Sequence, residues 1–186
     1  MRIGSWKFLV ASLIDATHAP KVTTRGGSEA KRAILRSLPR LWDHMLGTVH
    51  EYEIVIKEKH LDAFGHVNNA VYLELFEEAR WDLVTRNGYG YEEVLQRRLG
   101  PAILEANLIF KRELRNRQRV RILSWLESYE QRIGKMAQKI VGEGDTLHCE
   151  ARFTFGLMDL NARRLVEPTP EWWRAMGIEL PDVGGA

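Results

Sequence analysis

Tyr52, Ile54 and Ile56 alternate with Glu53, Val55 and Lys57. This is the period-two pattern of a strand with at least one apolar face, and it ends at the polar stretch Glu58-Lys59-His60. After a loop the period lengthens. Tyr72, Leu75, Phe76, Ala79 and Leu83 recur at helical spacing, with Glu74, Glu77, Glu78 and Asp82 off that stripe, which predicts a helix over Ala70 to Arg86. Asn68 or Asn69 is a natural N-cap, and Asn87-Gly88 is a stop signal. A short helical turn from Tyr91 to Arg97 leads to Gly100-Pro101. From there the period returns to two, in segments near Ala102 to Lys111, Arg119 to Tyr129, Ile133 to Val141 and Leu147 to Met158. In the last, Leu147, Cys149, Ala151, Phe153, Phe155 and Leu157 share one face and His148, Glu150, Arg152 and Thr154 the other, as a half-buried strand requires. Thr169-Pro170-Glu171 reads as an N-cap and N1 proline opening a short terminal helix through Trp172, Trp173 and Met176.

One strand, one long helix, then four strands on short hairpin-type connections is an α+β order with an antiparallel sheet. A single helix must then cover five strands, so the sheet is expected to curve around it. The exposed sheet edge or back face would invite a partner subunit. Neither internal repeats nor low-complexity tracts interrupt the pattern.

Composition changes this picture mainly at the N-terminus. The whole chain carries a net charge of +2. Residues 1 to 42 hold eight Lys and Arg against Asp15 and Glu29, which leaves 19 basic and 23 acidic residues for the remainder, or −4. A chain with an ordinary mixed-charge body is not expected to bind nucleic acid. Phe8 to Ile14 is an apolar run behind Arg2 and Lys7, without an A-x-A pattern after it. Ile34, Leu38, Leu41, Trp42 and Met45 share a helical face flanked by Lys31, Arg32, Arg36 and Arg40, interrupted by Pro39. Such a face could touch a membrane or serve in targeting, but a poorly ordered or loosely packed extension is the preferred reading. Residues 1–47 are therefore expected to be a basic extension, partly helical or flexible, and 48–186 the functional domain. Cys149 is the only cysteine, so an internal disulfide is ruled out and a reducing, cytoplasmic setting is expected. No apolar run approaches the roughly 20 residues of a membrane span, so stable membrane insertion is not expected.

The candidate chemistry lies in the loop before the long helix, Asp62-Ala63-Phe64-Gly65-His66-Val67-Asn68-Asn69. It sets an acidic side chain just ahead of a helix N-terminus, where backbone N–H groups point outward unpaired. Hydrolysis at a carbonyl needs a group that activates water or attacks the carbonyl, together with donors for the oxygen that becomes anionic. A carboxylate and a helix N-terminus provide both. Gly65 allows a close ligand approach or a positive φ, and Asn68 can cap the helix and order the loop. Taken alone, an Asp-x-x-Gly turn before a helix is more often only a turn and a cap.

The longer pattern Asp62-x-x-Gly65-His66-Val67-Asn68-Asn69-x-x-Tyr72, followed by Glu77-Glu78-Ala79-Arg80, resembles the signature of the 4-hydroxybenzoyl-CoA thioesterase family. The resemblance covers roughly residues 50 to 180, including the late Asp159-Leu160-Asn161-Ala162-Arg163-Arg164 turn, and leaves residues 1–45 outside. It implies a hot-dog fold, a five-stranded antiparallel sheet wrapped around one long central helix. The implied activity is hydrolysis of an acyl-CoA to free acid and CoA without metal or other cofactor, by a homodimer or homotetramer whose sites form between subunits. By the same resemblance Asp62 is the catalytic aspartate, as nucleophile or as general base, and the Asn69 backbone N–H is the donor that polarises the thioester carbonyl. Gly65 and Asn68 shape the turn, Gly65 and His66 counting with the catalytic positions and Asn68 and Tyr72 with the substrate-binding ones.

His66 invites a dyad or, with His60, a metal site, but two histidines and an aspartate on one loop are not a familiar zinc spacing. Ordering the loop or lining the pocket is the preferred role, with proton transfer as the alternative. Glu74 and Glu78 flank the apolar stripe and read as solvated or paired side chains, with Glu77–Arg80 and Asp82–Arg86 as candidate helix pairs. The cluster Lys111, Arg112, Arg115, Arg117 and Arg119 is either a solvated charged hairpin or a contact for CoA phosphates, the latter assigned to Lys111, Arg112 and Arg117. Rival readings are an acyl-carrier-protein thioesterase, a hydratase of the same fold, and a non-catalytic acyl-ligand binder. The hydratase's usual Asp-x-x-Pro-x-His loop is absent from the sequence.

Overall fold

The computed structural model describes residues 46–179, so the N-terminal extension expected for 1–47 falls almost wholly outside the described residues. Strand β1 (Leu46–Val55) is followed by a 3-10 turn at Glu58–His60 and helix α1 (Asn69–Arg86). Helix α2 (Tyr91–Arg97), strands β2 (Leu99–Phe110), β3 (Arg119–Glu130), β4 (Ile133–Val141), β5 (Leu147–Asp159) and β6 (Arg164–Val166), a second 3-10 turn at Glu143–Asp145, and helix α3 (Pro170–Ala175) complete the described elements. The strands form one antiparallel sheet in the order β1-β3-β4-β5-β2, and β6 pairs with the end of β5. The sheet thus holds a sixth short strand beyond the five expected. It forms because the Asp159 carboxylate accepts from Asn161 N (2.9 Å) and Ala162 N (2.9 Å), closing the turn that folds Arg164–Val166 back onto β5.

Helix α1 lies on the sheet through the stripe that the spacing predicted. Tyr72, Leu75, Phe76, Ala79 and Leu83 are all buried, and Phe76 meets Phe153 of β5 edge-on, 5.9 Å between ring centroids. Leu75, Phe76 and Leu83 each contribute about 1.5–3 kcal/mol on burial, and Ala79 less. Along β5, Cys149, Ala151, Phe153, Phe155 and Leu157 form the inner face as expected. His148 was expected on the polar face, yet it is only 6% exposed. Its Nδ1 bonds the Glu113 carbonyl (2.9 Å), because the β2–β3 connection folds over the start of β5.

The helix pairs divide. Asp82–Arg86 forms (2.8 Å) and Asp82 also meets His50 of β1 (2.8 Å). Glu78 accepts from the Tyr52 hydroxyl, while Glu74 is exposed. The Glu77–Arg80 pair does not form. Arg80 instead turns under the helix, donates to Gln138 Oε1 (2.8 Å) and lies over the Phe153 ring (4.2 Å). Gln138 is fully buried and also donates to Ser124 Oγ (2.8 Å) and the Phe76 carbonyl (3.1 Å). A polar network therefore crosses the centre of an otherwise apolar layer. At the sheet edge, β2 pairs only with β5 and leaves Ile103, Leu104, Ile109 and Phe110 43–49% exposed.

Candidate active site

The loop before α1 is closed by its own backbone. Asp62 N donates to His66 O (2.8 Å), Gly65 N donates to Asp62 O (3.1 Å), and Leu61 and Val67 form an antiparallel bridge at its neck. Gly65 has φ +78°, and a Cβ built there meets nothing within 4 Å. Its glycine answers to conformation and not to space, since a left-handed φ is costly for side-chain-bearing residues. Asp62 Oδ1 accepts from Phe64 N (2.8 Å) and His66 N (3.3 Å). Among the described residues, Oδ2 has no partner. One oxygen is thus held by the turn and the other is open to a ligand or water.

Asn68 is the helix cap. Its Oδ1 accepts from Ala70 N (2.9 Å) and its carbonyl from Val71 N (3.0 Å), while its own N donates to His60 O (2.9 Å). Asn69 is then the first helical residue, and its N–H donates to no group among the described residues, as expected of a first-turn amide. With the dipole of the long helix behind it, this amide is an available donor for a developing negative charge. Asp62 and Gly65 thus share one hydrogen-bonded turn, and Asn68 and Asn69 open the helix that follows it directly. Tyr72 is only 4% exposed, its ring against Phe110 (5.1 Å, edge-on), and burial pushes its hydroxyl up to about 12.

His66 pairs through Nε2 with Glu113 Oε2 (2.9 Å), a partner that no sequence spacing announced. Glu113 sits on the β2–β3 connection, which docks on the loop through Val67 N to Leu114 O (2.9 Å) and a backbone bridge between His66 and Arg115. His60 is buried with Nδ1 accepting from Lys57 N (3.2 Å), and its desolvation lowers its pKa. It does not join His66. Among the described residues no group of three or more His, Cys, Asp or Glu is arranged to hold a metal ion.

The expected CoA-phosphate residues lie along the same connection between β2 and β3. Lys111 pairs with Glu150 (3.0 Å) and Arg117 with Glu58 (2.5 Å), and both pairs are substantially exposed. Arg112 is exposed and unpaired among the described residues. Surface pairs of this kind are worth about 0–1 kcal/mol, so either cation can change partners for a phosphate at little cost.

A long helix laid across an antiparallel sheet is the hot-dog fold, which thioester hydrolases share. The Thioesterase-like superfamily pattern matches residues 56–176, and the chain belongs to that superfamily. It is 29% identical over 113 residues to the long-chain acyl-CoA thioesterase FadM of Escherichia coli strain K12, covering 60% of this chain and 85% of FadM. The structure of the probable thioesterase YbaW from Escherichia coli superposes with a TM-score of 0.61 at 26% identity, over 69% of this chain and 96% of that one. SAV2348 from Staphylococcus aureus, solved in complex with CoA, shares the fold at a TM-score of 0.66 and 14% identity, over 76% of this chain and 96% of its own. No helix among the described residues is long and apolar enough to cross a membrane.

Proposed function

We propose that this protein hydrolyses acyl-CoA thioesters to free acid and CoA, with Asp62 supplying the reactive carboxylate and the Asn69 amide receiving the carbonyl oxygen. The observation that carries the reading is the closed turn at residues 62–66. It occupies one Asp62 oxygen, leaves the other open, and abuts an unpaired first-turn amide. Asp62 acts either by attacking the carbonyl or by activating water. The loop's resemblance to the 4-hydroxybenzoyl-CoA thioesterases supports the assignment, and the likeness to FadM favours a long-chain acyl group. Lys111, Arg112 and Arg117 would meet the CoA phosphates, and His66 orders the loop. Exposed apolar side chains on the unpaired β2 edge favour a homodimer or larger homo-oligomer built on that edge. The single, buried cysteine suits a cytoplasmic setting.

The test is free-thiol release from acyl-CoA and acyl-carrier-protein thioesters of graded chain length, by wild type and Asp62→Asn. Expected are turnover of the CoA series by wild type and a loss of at least about 10²-fold in kcat in the variant. Absence of thiol release from every substrate overturns the activity. Full activity in Asp62→Asn overturns the role of that residue alone.

A further inference from the structure

We propose that Glu113, on the connection between β2 and β3, is a positioning residue for the active site that acts on Asp62 through His66. The inference rests on the Asp62 reading above.

Glu113 is held from three sides. Its Oε2 meets His66 Nε2 (2.9 Å) and its Oε1 meets Arg115 Nε (2.7 Å) and Nη2 (2.5 Å). Its carbonyl accepts from the buried His148 at the start of β5 (2.9 Å). The next residue, Leu114, is fully buried and receives Val67 N. The carboxylate is therefore presented from an anchored backbone, with Arg115 keeping one oxygen occupied and the other aimed at the imidazole.

A carboxylate that only accepts requires a proton on His66 Nε2. In the neutral ring this fixes the tautomer, leaving Nδ1 unprotonated and without a partner among the described residues. The ring plane is set by the same bond. His66's main chain brackets Asp62, its N donating to Oδ1 (3.3 Å) and its O accepting from Asp62 N (2.8 Å). The first of these contacts falls on the reactive carboxylate and the second on the Asp62 main chain, so displacement of residue 66 once its side chain is freed from Glu113 would loosen the turn that holds Oδ1. Where a carboxylate orients a metal-bound histidine its loss costs about 10- to 100-fold in activity, and the same order is taken for this metal-free imidazole.

The test uses the full chain. Glu113→Ala is expected to lower kcat about 10- to 100-fold with little change in KM. Glu113→Gln, which keeps an acceptor, should recover part of the loss. If Glu113 works through His66, the double variant Glu113→Ala/His66→Ala is no slower than His66→Ala alone. Ring-nitrogen NMR shifts of His66, at a pH where a free imidazole is neutral, should report the Nε2–H form in wild type and a mixture in Glu113→Ala. That readout is independent of turnover. Glu113→Ala with kcat within twofold of wild type while Asp62→Asn is inactive overturns the inference and spares the Asp62 reading. An unchanged tautomer or additive losses also overturn it. Full activity in Asp62→Asn removes the reading on which it rests.

Discussion

Replacing Gln138 with leucine keeps the volume of a fully buried side chain and removes the centre of the polar network between sheet and helix. Three contacts go: donation to Ser124 Oγ (2.8 Å), donation to the Phe76 carbonyl (3.1 Å) and acceptance from Arg80 (2.8 Å). The Phe76 carbonyl keeps its place in the helix ladder, so its share is small. Ser124 is 0% exposed and its hydroxyl would be stranded, at about 1–3 kcal/mol. Arg80 loses an acceptor to a charged group, worth about 1.5–3 kcal/mol. Burial already pushes its guanidinium down to about 10, so it stays charged near neutrality and must find water. The expected destabilisation is about 1–4 kcal/mol after allowing for apolar burial by leucine. Guanidinium chloride unfolding at fixed protein concentration measures it, and adding Ser124→Ala to Gln138→Leu should recover about 1 kcal/mol by removing the stranded hydroxyl. A loss below about 1 kcal/mol, or no recovery, would refute the view that this network is a satisfied unit whose parts depend on one another.

Asn68→Ala should lower stability by about 0.5–2 kcal/mol through loss of the α1 cap, and Asn68→Ser should restore most of it, both read by thermal unfolding. Gly134→Ala places a Cβ 2.5 Å from Phe155 Cζ and 2.9 Å from Tyr129 Cδ2. Overpacking of about 1–3 kcal/mol follows, again from chemical unfolding, and a neutral result would mean that the aromatic pair gives way freely. Burial pushes the Cys149 thiol from its ordinary 9.0 up to about 12. A raised folded pKa contributes stability that is fully present below about pH 9 and is lost as pH rises toward about 12. Cys149→Ala should flatten the alkaline fall in stability, most clearly between pH 9 and 10, below the range where Tyr52 and Tyr72 add their own slope. An unchanged slope would show that the thiol is not desolvated.

Local periodicity determined the long helix and the five main strands of this protein, though not β6. A period-two pattern needs only that one face meet the core, and a helical stripe needs only the same, so β5 and α1 could be read residue by residue from alternation and spacing. The turn at Asp62 to His66 and the Asn68 cap were equally legible, because their hydrogen bonds close within a few residues and depend on local chemistry. The tertiary structure decided whatever depends on residues distant in the chain. Arg80 sits at a position that suits a surface pair with Glu77, and only the approach of β4 offers it Gln138 and draws it inward. His148 follows the polar face of its strand in sequence, and only the returning β2–β3 connection covers it. Glu113 carried no signal of its own, because its meeting with His66 exists only once that connection docks on the loop. Spacing reports which face a side chain takes, whereas its partner across the sheet depends on how the chain returns.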